Sequence, residues 1–81
     1  MTIYETLIAF AAEILKQPVD EINPLSSYEE LGADSLHIVE LLAKVEDRYG
    51  IYVPDSAVIE MRSIADLAAW LEDHLSSYLD A

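Results

Sequence analysis

The sequence predicts an all-α fold, a four-helix bundle of three longer helices and one short helix, on three observations. Apolar residues return at helical spacing in three separate stretches, only two glycines interrupt 81 residues, and no pair of alternating segments offers a strand partner. Hydrophobic residues make up 53% of the chain, which excludes disorder, and the length leaves no material for a second core. Residues 1–81 therefore read as a single domain.

Ile3, Leu7, Phe10, Ala11, Ile14 and Leu15 share one face of a first helix over 3–16. Gln17-Pro18 ends it, because a residue before proline is pushed out of the α region. From Pro18 to Asp34 the apolar residues Val19, Ile22, Leu25, Tyr28 and Leu31 keep no steady period, and prolines, serines, Asn23 and Gly32 punctuate the stretch. The reading is a long loop pinned to the core by those five side chains. Loops of that length inside small domains are more often functional than decorative. A second long helix runs over 35–49, capped by Asp34 or Ser35 and closed by Gly50. After the extended Gly50-Ile51-Tyr52-Val53, Pro54 suits the first turn of a short helix over 55–59. Ser63-Ile64-Ala65-Asp66 has the pattern of a capping box, and Ile64, Leu67, Ala68, Leu71, Leu75 and Tyr78 continue a last helix towards the C-terminus.

The second helix has two apolar faces. Ile38, Leu41, Leu42, Val45 and Tyr49 form the stripe expected of a core contact. Leu36, Val39 and Ala43 cluster about 120 to 140° away, bordered by Glu40, Glu46 and Asp47. A neighbouring loop could cover this second patch; as a docking face, it would draw affinity from its apolar residues and steer basic partners with its acids.

Sixteen acidic residues against four basic ones give a net charge of −12. That balance rules against nucleic acid and anionic membranes and favours basic proteins as partners. The absence of cysteine removes disulfides, thiolate nucleophiles and sulfur-ligated metals together. The opening stretch, broken by Glu5 and Glu13, is neither a leader nor a membrane span, which makes the expectation a soluble cytoplasmic protein.

Ser35 sits where the long loop meets the second helix, and several roles compete for it. It could be a plain N-cap. As a hydrolase nucleophile it lacks a G-x-S-x-G elbow, and neither His37, two residues on, nor His74 in the last helix supplies a positioned base. Metal binding also fails, since a calcium loop starting at Asp20 would have Leu25 where glycine is needed and Leu31 where glutamate is needed. No metal site is expected. The remaining role is an attachment point for a phosphate ester, which the free N–H groups and positive dipole end of a helix start would stabilise.

Leu31-Gly32-Ala33-Asp34-Ser35-Leu36, then Val39-Glu40-Leu41-Leu42, then Ile51-Tyr52-Val53-Pro54-Asp55, closely resembles the acyl carrier proteins of fatty acid and polyketide synthesis. The resemblance runs essentially end to end and includes the order of helices. It implies that Ser35, flanked by Asp34 and Leu36, receives 4′-phosphopantetheine from a phosphopantetheinyl transferase, and that the arm's thiol carries acyl groups as thioesters. The working thiol would then be imported, and the protein itself would catalyse nothing. The resemblance further implies a partner face of Leu36, Val39, Glu40, Ala43, Glu46, Asp47, Val53 and Ile59, met by acyltransferases, ketosynthases and similar basic-faced enzymes. It places an acyl-chain groove at Tyr28, Val45, Val58 and Met61, positions that ordinary core packing explains equally well.

The departures bear on the pathway. Fatty acid carriers commonly place an acid two residues after the serine and an acidic run in the short helix, where this chain has His37 and Ser56-Ala57-Val58-Ile59. That favours a discrete, monomeric carrier of polyketide or other specialised metabolism. Within the class the rival is an aminoacyl, peptidyl or D-alanyl carrier, and Ala33, in place of the second glycine usual in peptidyl carriers, tilts against it. From another class, the rival is an unmodified acidic helical adaptor that binds basic proteins.

Overall fold

The computed structural model describes residues 2–79, with side chains described through Leu75. The described residues form α1 (Ile3–Leu15), a 3-10 turn (Val19–Glu21), α2 (Tyr28–Leu31), α3 (Ser35–Tyr49), α4 (Asp55–Val58) and α5 (Ile64–Leu79). Three long helices stand where periodicity puts them, and the short helix expected over 55–59 after Pro54 covers Asp55–Val58. The side chain of Tyr78, assigned by spacing to the last helix, lies outside the described residues.

Each long helix starts on a side-chain cap. Thr2 Oγ1 accepts the Glu5 N–H at 3.1 Å while the Glu5 carboxylate accepts the Thr2 N–H at 3.3 Å, so two donors at the head of α1 are satisfied reciprocally. At α5, Ser63 Oγ accepts the Asp66 N–H at 3.2 Å, and Asp66 reaches one residue further back, to the Arg62 N–H at 2.9 Å.

The stretch 18–34 is more ordered than a loop pinned by five side chains. Ser27 and Glu30 form a capping box that starts α2, and Gly32 ends it with φ at 82°, a left-handed conformation that glycine adopts without a side-chain penalty. Two backbone bonds fasten the segment to the approach of α5: Tyr28 N–H to the Arg62 carbonyl and Ala65 N–H to the Pro24 carbonyl, both 2.9 Å. Ile22, Tyr28 and Leu31 are buried as expected, but Val19 and Leu25 are 54% and 77% exposed and do not pin the segment.

The core lies where α1, α3 and α5 converge, α1 packing against both of the others. Leu7, Val45, Ile64, Leu67 and Leu71 are fully enclosed, each worth roughly 1.5–3 kcal/mol of burial. On α3, Leu41 and Val45 are buried, and Ile38, Leu42 and Tyr49 are partly buried against the core. The expected inward stripe of that helix therefore leaves its other face free.

Candidate functional site

Ser35 is the first residue of α3 and its side chain is exposed. The preceding residue, Asp34, is the N-cap, with extended backbone at φ −94° and ψ −178°. Asp34 Oδ1 accepts the His37 N–H at 3.0 Å, and His37 Nδ1 accepts the Asp34 N–H at 3.1 Å. The first turn is thus capped without the serine, which answers the competing role for Ser35. The residue is left exposed at the positive dipole end of the helix. The bond from the His37 N–H is the main reason the Asp34 carboxyl stays below its ordinary range; the nearby His37 ring works the same way and desolvation opposes it.

Ser35 opens onto a groove of about 430 Å³ between α3 and residues 52–58. Ile38, Val39 and Leu42 form its α3 wall, Val53 and Val58 face them, and Glu46, Tyr52 and Asp55 supply the polar groups. A second, smaller and partly open void lies between α1, α2 and α3, lined by Ile14, Tyr28, Leu31, Ile38 and Leu41 among others. It holds only about 10 Å³, room for about one water molecule.

A family model described as a phosphopantetheine attachment site matches residues 5–71. The acyl carrier protein of Helicobacter pylori strain G27 is 31% identical over 75 residues, covering 91% of this chain and 96% of that one. The chain belongs to the acyl carrier protein family. The meromycolate extension acyl carrier protein of Mycobacterium tuberculosis strain H37Rv is 34% identical over 73 residues, 84% of this chain and 64% of the longer relative. Among solved structures, BlmI, a type-II acyl carrier protein from Streptomyces verticillus involved in bleomycin biosynthesis, superposes with a TM-score of 0.78. At 22% identity, with 90% of this chain and 86% of BlmI covered, that likeness speaks to the fold.

Acyl carriers take phosphopantetheine as their covalent cofactor, and the residues at the head of α3 fit such a group. An exposed hydroxyl with a cap supplied by its neighbour can accept a phosphodiester without dismantling the turn. Among the described residues there is no cluster of His, Asp and Glu able to hold a metal ion, and no helix long and apolar enough to cross a membrane.

The residues expected on the carrier's partner face divide into three groups. Leu36, Val39 and Ile59 are 65%, 61% and 77% exposed, and Glu40, Ala43 and Asp47 are exposed beside them. Glu46 is half-buried and already engaged, its Oε2 accepting the Val53 N–H at 2.9 Å. Val53 is a correction: at 4% exposed it is part of the core and presents no surface to a partner. The alternation of Ile51-Tyr52-Val53 turns Tyr52 outward, 72% exposed, on the groove that Ser35 opens. Sequence reasoning missed Tyr52, although the same alternation that buries Val53 signals it.

The four groove residues do not line one cavity. Val58 lines the groove at Ser35; Tyr28 and Met61 border a separate surface depression with Arg62; and Val45 is fully buried in the core. Ile38, assigned to the core from sequence, is the residue common to the groove, the small void and that depression.

Proposed function

We propose that Ser35 Oγ is the point at which a separate phosphopantetheinyl transferase attaches the 4′-phosphopantetheine arm, and that this protein presents thioester-linked acyl groups from it to a succession of enzymes. The observation that carries this reading is an exposed hydroxyl at the head of α3 whose capping duty is taken by Asp34. When bound, the arm supplies the thiol that the sequence lacks. The protein's own residues position it: the head of α3 offers its positive dipole end to the phosphate, and the groove at Ser35 gives the arm a surface to lie against.

Leu36, Val39, Ala43 and Ile59, rimmed by Glu40 and Asp47, form the face offered to basic partners; the apolar centre gives contact and the acidic rim speeds encounter. His37 beside the serine and the uncharged, outward-facing Ile59 at the end of α4 support a discrete carrier of polyketide or other specialised metabolism.

Intact-mass measurement after incubation with coenzyme A, magnesium and a broad-specificity transferase tests the assignment. Wild type gains one phosphopantetheine and Ser35→Ala gains none. No gain on wild type, or an equal gain on the alanine variant, refutes it.

A further inference from the structure

We propose that His37 is a positioning residue for Ser35 whose hold depends on its protonation: the neutral ring locks the first turn of α3, and the imidazolium releases it. The proposal rests on Ser35 as the attachment point. The third helical position of a capping box is usually filled by Glu or Gln, whose side-chain oxygen accepts the cap's N–H. Here the acceptor is an imidazole nitrogen, and an imidazole accepts only while that nitrogen is bare.

His37 Nδ1 lies 3.1 Å from the Asp34 N–H donor and 3.1 Å from Asp34 Oδ1. With the ring proton on Nε2, Nδ1 accepts the Asp34 N–H, and the reciprocal bond from the His37 N–H to Oδ1 completes the lock. Once Nδ1 is protonated it has no lone pair for that N–H. Its own N–H is then a donor facing Oδ1, which can accept it alongside the His37 backbone N–H, so the bond that is lost is the one from the Asp34 N–H. The reciprocal lock is reduced to one bond, and a positive ring is left at the positive end of the helix, on the residues flanking Ser35.

Of the groups around the ring, the Asp34 carboxylate is the one at hydrogen-bond distance from Nδ1. The void against the ring is walled by Ala11, Ile14 and Leu15 of α1, Tyr28 and Leu31 of α2, Ala33, and Ile64 of α5. Tyr28 is the titratable group on those walls, and its hydroxyl stays neutral up to about 12. On α3 itself the charged neighbours are Asp34 at the cap and Glu40 one turn on.

The test follows the Asp34 amide by nitrogen-15 NMR and hydrogen exchange from pH 8 to pH 5, the interval in which imidazoles gain a proton. Asp34's own carboxyl titrates below its ordinary range and so stays charged across that interval. In wild type the amide signal should move and its protection fall several-fold as pH drops. In His37→Gln it should stay put, because the amide oxygen accepts at every pH. Modification rates at pH 8 should match in wild type and His37→Gln and be roughly threefold lower in His37→Ala, the scale of losing half a cap. Relative to His37→Gln, wild type should then slow towards the alanine variant by pH 5.5, a ratio that cancels the transferase's own pH response. An unmoved Asp34 amide in wild type, or a glutamine variant that follows wild type through the titration, overturns the proposal. Wild type that is never modified refutes the role of Ser35 instead, and leaves the amide titration to be judged by itself.

Discussion

Tyr28 joins an ionisable hydroxyl to a buried ring, and its burial sets a pH limit on the fold. Desolvation, helped by the charge of Asp66, pushes its pKa up from 10.0 to about 12. A hydroxyl held neutral in the folded state stabilises the fold fully below pH 10, and the contribution is lost as pH rises from 10 through 12. That gap corresponds to up to about 3 kcal/mol. Tyr28→Phe should match wild type near neutrality and lose less stability between pH 9 and pH 11 in urea unfolding. Equal losses would show that the hydroxyl is solvated when ionised. Asp34 works with the opposite sign. Its lowered carboxyl contributes stability that is present above its ordinary titration range and lost as pH falls through the folded value. Asparagine caps helices equally well without titrating, so Asp34→Asn should keep the helical signal at pH 6 and lose less of it than wild type by pH 3.

Among elements, the long helices were legible because each repeats an apolar stripe over several turns and ends on a recognisable stop, as α3 does at Gly50, φ 65°. The four-residue α2 was not legible, since a single turn shows no period. Its signals were local and present: Ser27 with Glu30 three residues on, and Gly32 after Leu31. Around the proposed site, the place of Ser35 at the head of α3 was legible from the chain, whereas the tie between Glu46 and Val53 joins residues seven apart and follows from the turn at Gly50. That tie alters how charge reversal on α3 should be read. Glu40→Lys, on an exposed side chain, should slow modification with no loss of stability. Glu46→Lys should cost about 1–2 kcal/mol as well, because the Val53 N–H loses its acceptor. Glu46→Gln should recover that stability in urea unfolding. A Glu46→Lys variant as stable as Glu40→Lys would show that the bond is dispensable. At the end of α1, Lys16 holds φ 56° without being glycine, so Lys16→Gly should gain about 1 kcal/mol by removing left-handed strain.

For the whole molecule the governing quantity is charge. A net −12 is spread over a body with a radius of gyration of 12.0 Å, so carboxylates on opposite faces stand some two radii apart. At 0.01 M salt the screening length is about 30 Å and these charges repel across the whole protein; at 0.1 M it is about 10 Å and only neighbours do. Local compensation is thin: Lys44 reaches Glu13 at 3.4 Å, an exposed pair of the kind worth well under about 1 kcal/mol. Unfolding moves the charges apart, so the folded state should gain from screening. The thermal midpoint should rise by several degrees between 0.01 and 0.15 M sodium chloride, on the order of 5 °C per kcal/mol gained in a domain this size. Millimolar magnesium should raise it further than sodium at equal ionic strength, because a divalent ion concentrates more strongly at a surface of this charge. The same salt series should slow modification by a basic transferase, since the long-range attraction that steers encounter is screened along with the self-repulsion. Stability and encounter rate therefore move in opposite directions with ionic strength. A midpoint that stays flat across the series would mean that the acids are already neutralised in the fold, and would remove the electrostatic basis for partner steering with it.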